Sequence, residues 1–327
     1  VAADPSPEAD LWLLLGPFVR DAPTTHRLAA ALAEAFGPRF AAVPTDRLLL
    51  GVTGGKLTLH DLTGRRIEPP RVAVVRLATT SLSMDREVTL MRQLEALGTE
   101  LVNPMDATLT CVNKFWQLQR LAEAGLPVPD TRTHTDAHPG RAVAAGIPEP
   151  CVVKSVRGSG GRRVFLAPDA ATVADLQGSL RTDVPFLFQR YVRHSHGRDL
   201  RVIVVDGRVV AAGERRAPDG RLQSNTAGGG VLEACLGRYP AAEQLAVRAA
   251  ERLGLVFCGV DLLFEEGNAA TPEANASTAG GNAAKPEGDA FTVCEVNANA
   301  AWGDRMPDVT PALVAAIAKR LPSRSLP

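Results

Sequence analysis

The stretch Phe291-Thr-Val-Cys-Glu-Val-Asn-Ala-Asn299 decides how this chain is read. A short apolar run carries Glu295, and Asn297 follows two residues on. Residues two apart on a strand point to the same face, so a carboxylate and an amide project side by side. Upstream, Val256–Phe264 is a second apolar run with Asp261 in its middle. If the two runs pair, Asp261, Glu295 and Asn297 converge. Such oxygen donors suit a hard cation such as magnesium, held by one or two carboxylates together with substrate phosphates. The plainer alternative is a strand that ends in polar residues on its way into a loop, and the pattern alone leaves both open.

Several features N-terminal to this pair bear on the choice. Asp199–Val205 and Arg208–Ala212 form a hairpin across Asp206-Gly207. Arg215 and Arg216 follow, then Leu222-Gln-Ser-Asn225. Phe186–Val192 is a strand whose backbone could meet an adenine edge. Pro150–Lys154 is an apolar strand ending in a lysine, and Arg157-Gly-Ser-Gly-Gly-Arg-Arg163 leads into the strand Val164–Leu166. Gly158, Gly160 and Gly161 let backbone N–H groups approach an anion. A dinucleotide-binding loop would open a helix. This one joins two strands, as a flap over nucleotide phosphates does, or as an ordinary hairpin does; the neighbouring Lys154 favours the flap.

The first part of the chain alternates strands and helices. Leu11–Leu15, Arg47–Val52, Arg71–Leu77 and Leu101-Val102 read as strands, with a hairpin turn at Gly54-Gly55. Thr24–Phe36 and Asp85–Leu97 read as amphipathic helices, the second closed by Gly98. This alternation argues for an α/β layer on a parallel sheet. Gly51–Thr58 mimics a phosphate loop, but Leu57 follows Lys56 where Ser or Thr is required. Thr108–Ala124, with Lys114, reads as one long helix, and Pro127 and Pro129 then enforce extended chain. Further helices are expected over Ala171–Leu180, Pro240–Leu253 and Val309–Leu321. Residues 267–290, rich in Ala, Asn, Gly and Pro, bear almost no large apolar side chain and read as a disordered insertion between two paired strands.

Bulk properties narrow the class. The 327 residues allow two or three domains. Lys plus Arg equals Asp plus Glu at 36 each, so charge gives no support to nucleic-acid or anionic-membrane binding. The longest early apolar run, Leu11–Leu15, is too short to span a bilayer, and no basic segment precedes it. Five scattered cysteines form no C-x-x-C pair, which argues against a zinc site or a disulfide framework and for a reducing, cytoplasmic compartment. The six histidines fall mainly in expected loops and read as surface residues.

Taken in order, Lys114, Val153-Lys154, the Gly158–Gly161 loop, Gln189-Arg-Tyr191, Asp199, Arg201, Gln223-Ser-Asn225, Gly259-Val-Asp261 and Glu295-Val-Asn297 resemble an ATP-grasp ligase of the RimK-like family. Long stretches are similar to the branch that makes N-acetylaspartylglutamate and β-citrylglutamate: residues 101–131, 184–210, 219–225, 257–263 and 293–299. The resemblance implies an α/β (α+β) ATP-grasp fold: an N-terminal α/β domain over 1–107, a central lid subdomain over 108–192, and a C-terminal ATP-grasp subdomain over 193–327. It implies that Lys114 and Lys154 contact ATP phosphates under a lid formed by Gly158, Ser159, Gly160 and Gly161. Gln189, Arg190 and Tyr191 correspond to an adenine-contacting hinge, Asp199 to a ribose-binding acid, and Gln223, Ser224 and Asn225 to a nucleotide-contacting strand end. Asp261, Glu295 and Asn297 match ligands of magnesium or manganese, with two ions expected, and Arg201 and Arg216 match holders of phosphate or substrate carboxylate.

The implied reaction joins L-glutamate to a small carboxylic acid, N-acetylaspartate or citrate, through an acyl phosphate. No nucleic-acid or membrane partner is implied, and a homo-oligomer is left open. Arg190 and Gln223 stand where ribosomal-protein ligases of the family tend to carry an acidic residue and an arginine; the small-molecule branch shares both differences. After Asn299, Ala-Ala-Trp-Gly-Asp-Arg-Met resembles neither branch closely. Two alternatives therefore accompany the reading: a ligase adding glutamate to a protein C-terminus, and a nucleotide-binding protein without catalysis.

Overall fold

Strand β1 (Leu11–Leu15) is apolar at every position because both of its faces are covered. Leu11, Leu13 and Leu15 point into one core, and Trp12 and Leu14 into another. The computed structural model describes residues 9–77, 85–135, 146–158, 164–177, 185–218, 220–224, 229–266, 290–302 and 305–321. Around β1 run β2 (Phe40–Pro44), β5 (Val72–Arg76) and β6 (Glu100–Val102), all parallel, in the order β2-β1-β5-β6. Helix α1 (Pro23–Phe36) covers one face through Leu28 and Leu32; α2 (Asp85–Ala96) covers the other through Leu90, Met91 and Leu94. The hairpin β3 (Leu48–Thr53) and β4 (Lys56–Asp61) turns at Gly54 and Gly55, both at positive φ. The expected parallel α/β layer is thus present. The expectations lacked β2, whose Phe-Ala-Ala-Val-Pro has neither alternation nor length.

The expected single helix over 108–124 is two: α3 (Met105–Val112) and α4 (Lys114–Glu123). Asn113 between them is extended, and its side-chain oxygen accepts from Phe115 N and Trp116 N, so an N-cap interrupts what the apolar spacing alone reads as continuous. Lys114 N then donates to Val156 O at 2.8 Å, which docks the start of α4 on the next sheet.

That sheet is antiparallel, in the order β7 (Thr131–Thr133), β10 (Phe186–Arg190), β8 (Cys151–Ser155), β9 (Val164–Ala167), and α5 (Ala170–Gln177) lies beside it. The third sheet orders β13 (Val231–Ala234), β12 (Arg208–Arg216), β11 (Arg198–Val205), β14 (Phe257–Glu265) and β15 (Ala290–Asn297), all antiparallel. One of its faces packs Leu200, Val202, Val204 and Val260 against α6 (Pro240–Arg252) and against Cys111 and Leu121 of α3 and α4. Its other face joins Ile203, Val205 and Phe257 to the β1 core, with α7 (Thr310–Arg320) sealing the seam through Leu313 and Ile317.

Asn103 fastens the N-terminal sheet to the C-terminal one. Its Nδ2 donates to Phe257 O at 2.6 Å and Ala298 O at 2.7 Å, and its Oδ1 accepts from the backbone N–H groups of Val256 and Phe257. The expected insertion, apart from Ala290 in β15, lies outside the described residues. His134, expected at the surface, is buried; its Nε2 accepts from Phe186 N at 3.1 Å, a contact that folding of β10 beside it creates. Among the described residues no helix is long and apolar enough to cross a membrane.

Candidate active site

Strands β14 and β15 pair as the two apolar runs suggest, with Asp261 opposite Glu295 and Gly259 opposite Asn297. A bulge at Asp261/Leu262 leaves Cys294 as the extra residue on β15. Val293 therefore stays in the α6 core, while Cys294, Glu295 and Asn297 all line one cavity of about 520 Å³. The same cavity is lined by Lys114, Lys154, Gly158, Gln189, Arg190, Tyr191, Asp199, Arg201, Gln223, Ser224 and Asp261. Every expected site residue that the structure describes is brought there except Arg216. Ser159, Gly160, Gly161 and Asn225 lie outside the described residues.

Arg216 belongs to the opposite face of β12. Its side chain is 59% exposed and pairs with Glu214, two residues back on that face, at 2.6 Å. Arg215 takes the place expected of it, buried in the cavity wall. The physical reason is a bulge between Ile203 and Val204. An unbroken hairpin across Asp206-Gly207 would set Asp199 opposite Glu214. The bulge shifts the register by one, so Asp199 faces Arg215 and the pleat carries Arg216 away.

The charged groups interlock. Arg201 grips Asp261 with two contacts of 2.7 Å, Nε to Oδ1 and Nη2 to Oδ2. Arg215 Nη2 lies 3.1 Å from Asp261 Oδ1, and the Arg215 fork also holds both carboxylate oxygens of Asp199. Burial would push the Asp261 carboxyl up, but the fields of Arg201 and Arg215 outweigh it and hold the group below the ordinary carboxylate range. Burial likewise opposes the charge on Arg215, and Asp261 and Asp199 overcome it. Lys114 Nζ donates to Glu295 Oε1 at 2.7 Å and to Gly158 O at 2.8 Å, tying a metal-ligand candidate to the first residue of the glycine loop. Lys154 Nζ lies 3.6 Å from Cys294 Sγ. Burial, foremost, pushes that thiol up, so it is a poor nucleophile.

At the other end, the hinge donors are already engaged: Arg190 N to Asp130 O at 2.8 Å and Tyr191 N to Pro150 O at 3.1 Å. Gln189 Nε2 donates to Thr131 Oγ1, Arg190 pairs with Glu265 at 2.6 Å, and Tyr191 Oη meets His196 Nδ1 at 2.8 Å. Gln223 Nε2 donates to Val164 O at 2.8 Å, linking the end of the long hairpin to β9. Val152, Leu222 and Leu263 give the cavity apolar walls. The expectations missed Arg215, Cys294 and Arg198 among its lining. The sequence shows Arg215 and Arg216 side by side, and the resemblance alone singled out Arg216.

Two carboxylates and an amide on neighbouring strands fit a magnesium ion shared with phosphate oxygens. Among the described residues no cluster of three His, Cys, Asp or Glu side chains forms, so a soft-metal or zinc cage has no candidate there. Lysines beside these donors fit a polyphosphate.

An antiparallel sheet of four strands and one of five, enclosing a cavity lined with lysines and carboxylates, define an ATP-grasp architecture. The chain belongs to the RimK-like ATP-grasp family, whose domain matches residues 111–288. It is 40% identical over 279 residues to N-acetylaspartylglutamate synthase A of Mus musculus, covering 82% of this chain and 72% of that one. It is 41% identical over 278 residues to β-citrylglutamate synthase B of Homo sapiens, covering 82% and 71%. The fold is similar to the ATP-grasp ligase PsnB complexed with minimal precursor, with a TM-score of 0.63 at 22% identity over 97% of this chain and 100% of that one.

Proposed function

We propose that the chain is an ATP-dependent ligase that joins the amine of L-glutamate to a carboxylate of a small acid, N-acetylaspartate or citrate. The convergence of Lys114, Lys154, Asp261, Glu295 and Asn297 with Arg201 and the buried Arg215 in one cavity carries this reading. Membership of the RimK-like family, with synthases of those two products among the relatives, supports it.

A carboxylate does not condense with an amine unaided, because its oxygen is a poor leaving group. In the proposed reaction a carboxylate oxygen of the acid takes the γ-phosphoryl group and ADP leaves. The glutamate nitrogen then bonds to the acyl carbon, loses a proton, and phosphate departs. Such chemistry asks a protein for positioning and charge more than for covalent help. Lys114 and Lys154 supply positive charge to phosphates. Arg201 and Arg215 keep Asp261 ionised, and the guanidinium fork also suits substrates with several carboxylates. Magnesium held by Asp261, Glu295 and Asn297 would neutralise phosphate oxygens; we propose two such ions. The lid over Gly158, Ser159, Gly160 and Gly161 would exclude water from the reacting phosphate. We propose a division at 107/108 and 192/193, supported by one large sheet in each part, with the hairpin β3–β4 also in the first.

The test is magnesium-dependent ADP release with glutamate and, in turn, N-acetylaspartate, citrate and a short peptide ending in glutamate, with product masses measured. A small-acid product supports the proposal. Turnover with the peptide alone sinks it in favour of protein modification, and nucleotide binding without turnover on any acid sinks it in favour of a non-catalytic protein.

A further inference from the structure

Arg76 ends β5 at the carboxyl edge of the parallel sheet and is 3% exposed. Arg215, also buried, and Arg201, half-buried, each grip a carboxylate. Arg76 has none within ion-pair reach among the described residues. Its Nη1 donates to Ala300 O at 3.1 Å, its guanidinium lies 5.7 Å from the centre of the Trp302 ring, and its Nε is buried without a partner. Burial alone pushes its pKa down to about 10, so at neutral pH the side chain remains a cation. An uncompensated buried charge is costly and calls for an anion nearby.

The groups that Arg76 holds form the cavity wall. Ala300 lines the cavity with Asn299, Ala301 and Val19. Asn299 Nδ2 donates to Leu77 O, so the residues ending β5 clasp this wall at two successive positions. Gly259 admits the close approach of Ala300: a Cβ there would stand 2.9 Å from the Ala300 Cβ. This end of the cavity is built from the Asn299–Ala301 segment, which continues past Asn297, and from the loop after β1. Gln189–Val192, the expected adenine hinge, line the same cavity from other strands and loops. Carboxyl ends of parallel strands are where α/β sheets take ligands.

We propose that Arg76 is a positioning residue that fixes this wall and, as a buried cation behind it with no carboxylate partner among the described residues, gives the Val19–Ala301 end its preference for a substrate with several carboxylates. The inference rests on the ligase reading and names where the acid substrate sits. Charge acts over distance in a low-dielectric interior, so contact with the substrate is not required.

Calorimetric binding of acetate, succinate and citrate in the presence of a non-hydrolysable ATP analogue and magnesium tests it without turnover. For Arg76→Gln, which keeps a donor for Ala300, citrate affinity should fall about tenfold or more while acetate affinity changes by no more than about threefold. Nucleotide affinity should stay within about twofold, and Arg76→Lys should restore the citrate preference. Equal losses for all three acids, or a loss of nucleotide affinity in step, would mean a purely structural role and overturn the proposal. If Arg76→Gln does not fold, Val19→Asp decides, since it sets a carboxylate at the same end with Arg76 intact: selective loss of citrate supports the location, and unchanged or uniform affinity sinks it. Absence of ADP release by the wild-type protein with every acid would defeat the ligase reading, whereas the binding series judges Arg76 by itself.

Discussion

Arg201 on β11 and Asp261 on β14 are register partners, and their side chains meet fork to fork at 2.7 Å on both arms. Strand pairing, not side-chain reach, sets this contact. Removing one member of a buried pair leaves the other charge stranded, which typically costs about 3–5 kcal/mol. Arg215 still faces Asp261, so Arg201→Met should cost less, about 2–4 kcal/mol in urea unfolding. ADP release should fall at least about a hundredfold, since hydrogen bonds to charged groups weigh most at a reacting centre. Arg201→Lys keeps the charge but not the fork and should fall between. Unaltered stability in Arg201→Met would show that the pair carries no structural weight.

Arg215 and Arg216 make a sharper comparison. Arg215→Met removes the cation shared by Asp199 and Asp261 and should abolish activity to below about 1%. Arg216→Ala removes a mostly exposed partner of Glu214, which keeps Arg198 at 2.6 Å and Tyr239 at 3.1 Å. Its effect should stay within about threefold in rate and about 1 kcal/mol in stability. Steady-state rates of the two variants side by side settle which arginine belongs to the site; the reverse order would return the assignment to Arg216.

How much of this was legible follows from where local rules hold. Glu295 and Asn297 share a face because the strand period survives between them, so their convergence with Asp261 could be read directly. The strand β1 and the hairpin turn at Asp206-Gly207 were equally plain, being set by apolar runs and turn residues. The resemblance matched Arg216, but a single bulge moves every later residue of β12 to the other face, and no residue type at Val204 or Val210 announces which arginine of the pair meets the cavity. The break at Asn113 was hidden because apolar spacing runs on through it, although Asn is a good N-cap. Arg76 could not be picked out at all: its burial comes from Trp302 and Ala300, far along the chain.

Asn103 offers a stability test remote from the cations. One side chain satisfies two carbonyls and two N–H groups across the seam between the first and third sheets. Asn103→Ala leaves these buried backbone groups unpaired, and each hydrogen bond contributes about 1 kcal/mol net, with further cost for groups left unsatisfied. A loss of about 2–4 kcal/mol in urea unfolding is expected. A loss below about 0.5 kcal/mol would mean that the seam closes through apolar packing alone.

The turn residue Asp206 gives a pH-dependent counterpart. It accepts from Lys319 Nζ at 2.6 Å and from Arg320 Nη2 at 3.0 Å, which fixes α7 to the hairpin. The Lys319 hydrogen bond, first, and Arg320 lower its pKa against the opposing effect of burial. Because the folded value lies below the unfolded one, near 3.9, the unfolded chain takes up the proton first as pH falls. The contribution is therefore complete above about pH 4–5 and is lost as pH drops through the folded value. Asp206→Asn, which tolerates the positive φ at this site, should be about 0.5–1 kcal/mol less stable at pH 7 and equal to the wild type in strong acid. A difference that persists at low pH would assign the effect to the turn rather than to the charges.

Lys114 joins three parts of the machinery through one ammonium group. It starts α4 after the Asn113 cap, it donates to Glu295 on β15, and it donates to the carbonyl of Gly158 where the glycine loop begins. Lys114→Met keeps the length and apolar stem but removes the charge. If Lys114 contacts nucleotide phosphates as proposed, affinity for a non-hydrolysable ATP analogue should fall about 10–100-fold, the weight of one or two hydrogen bonds to a charged group. The fall should shrink as salt rises only modestly, since the group is buried and poorly screened. If Lys114 serves only to neutralise Glu295, the variant should bind the nucleotide normally in magnesium and lose affinity only without it, because a bound cation could then take over the neutralising role. Titrating the analogue into Lys114→Met with and without magnesium separates the two: weak binding in both conditions places the ammonium on the phosphates, and rescue by magnesium places it on the carboxylate.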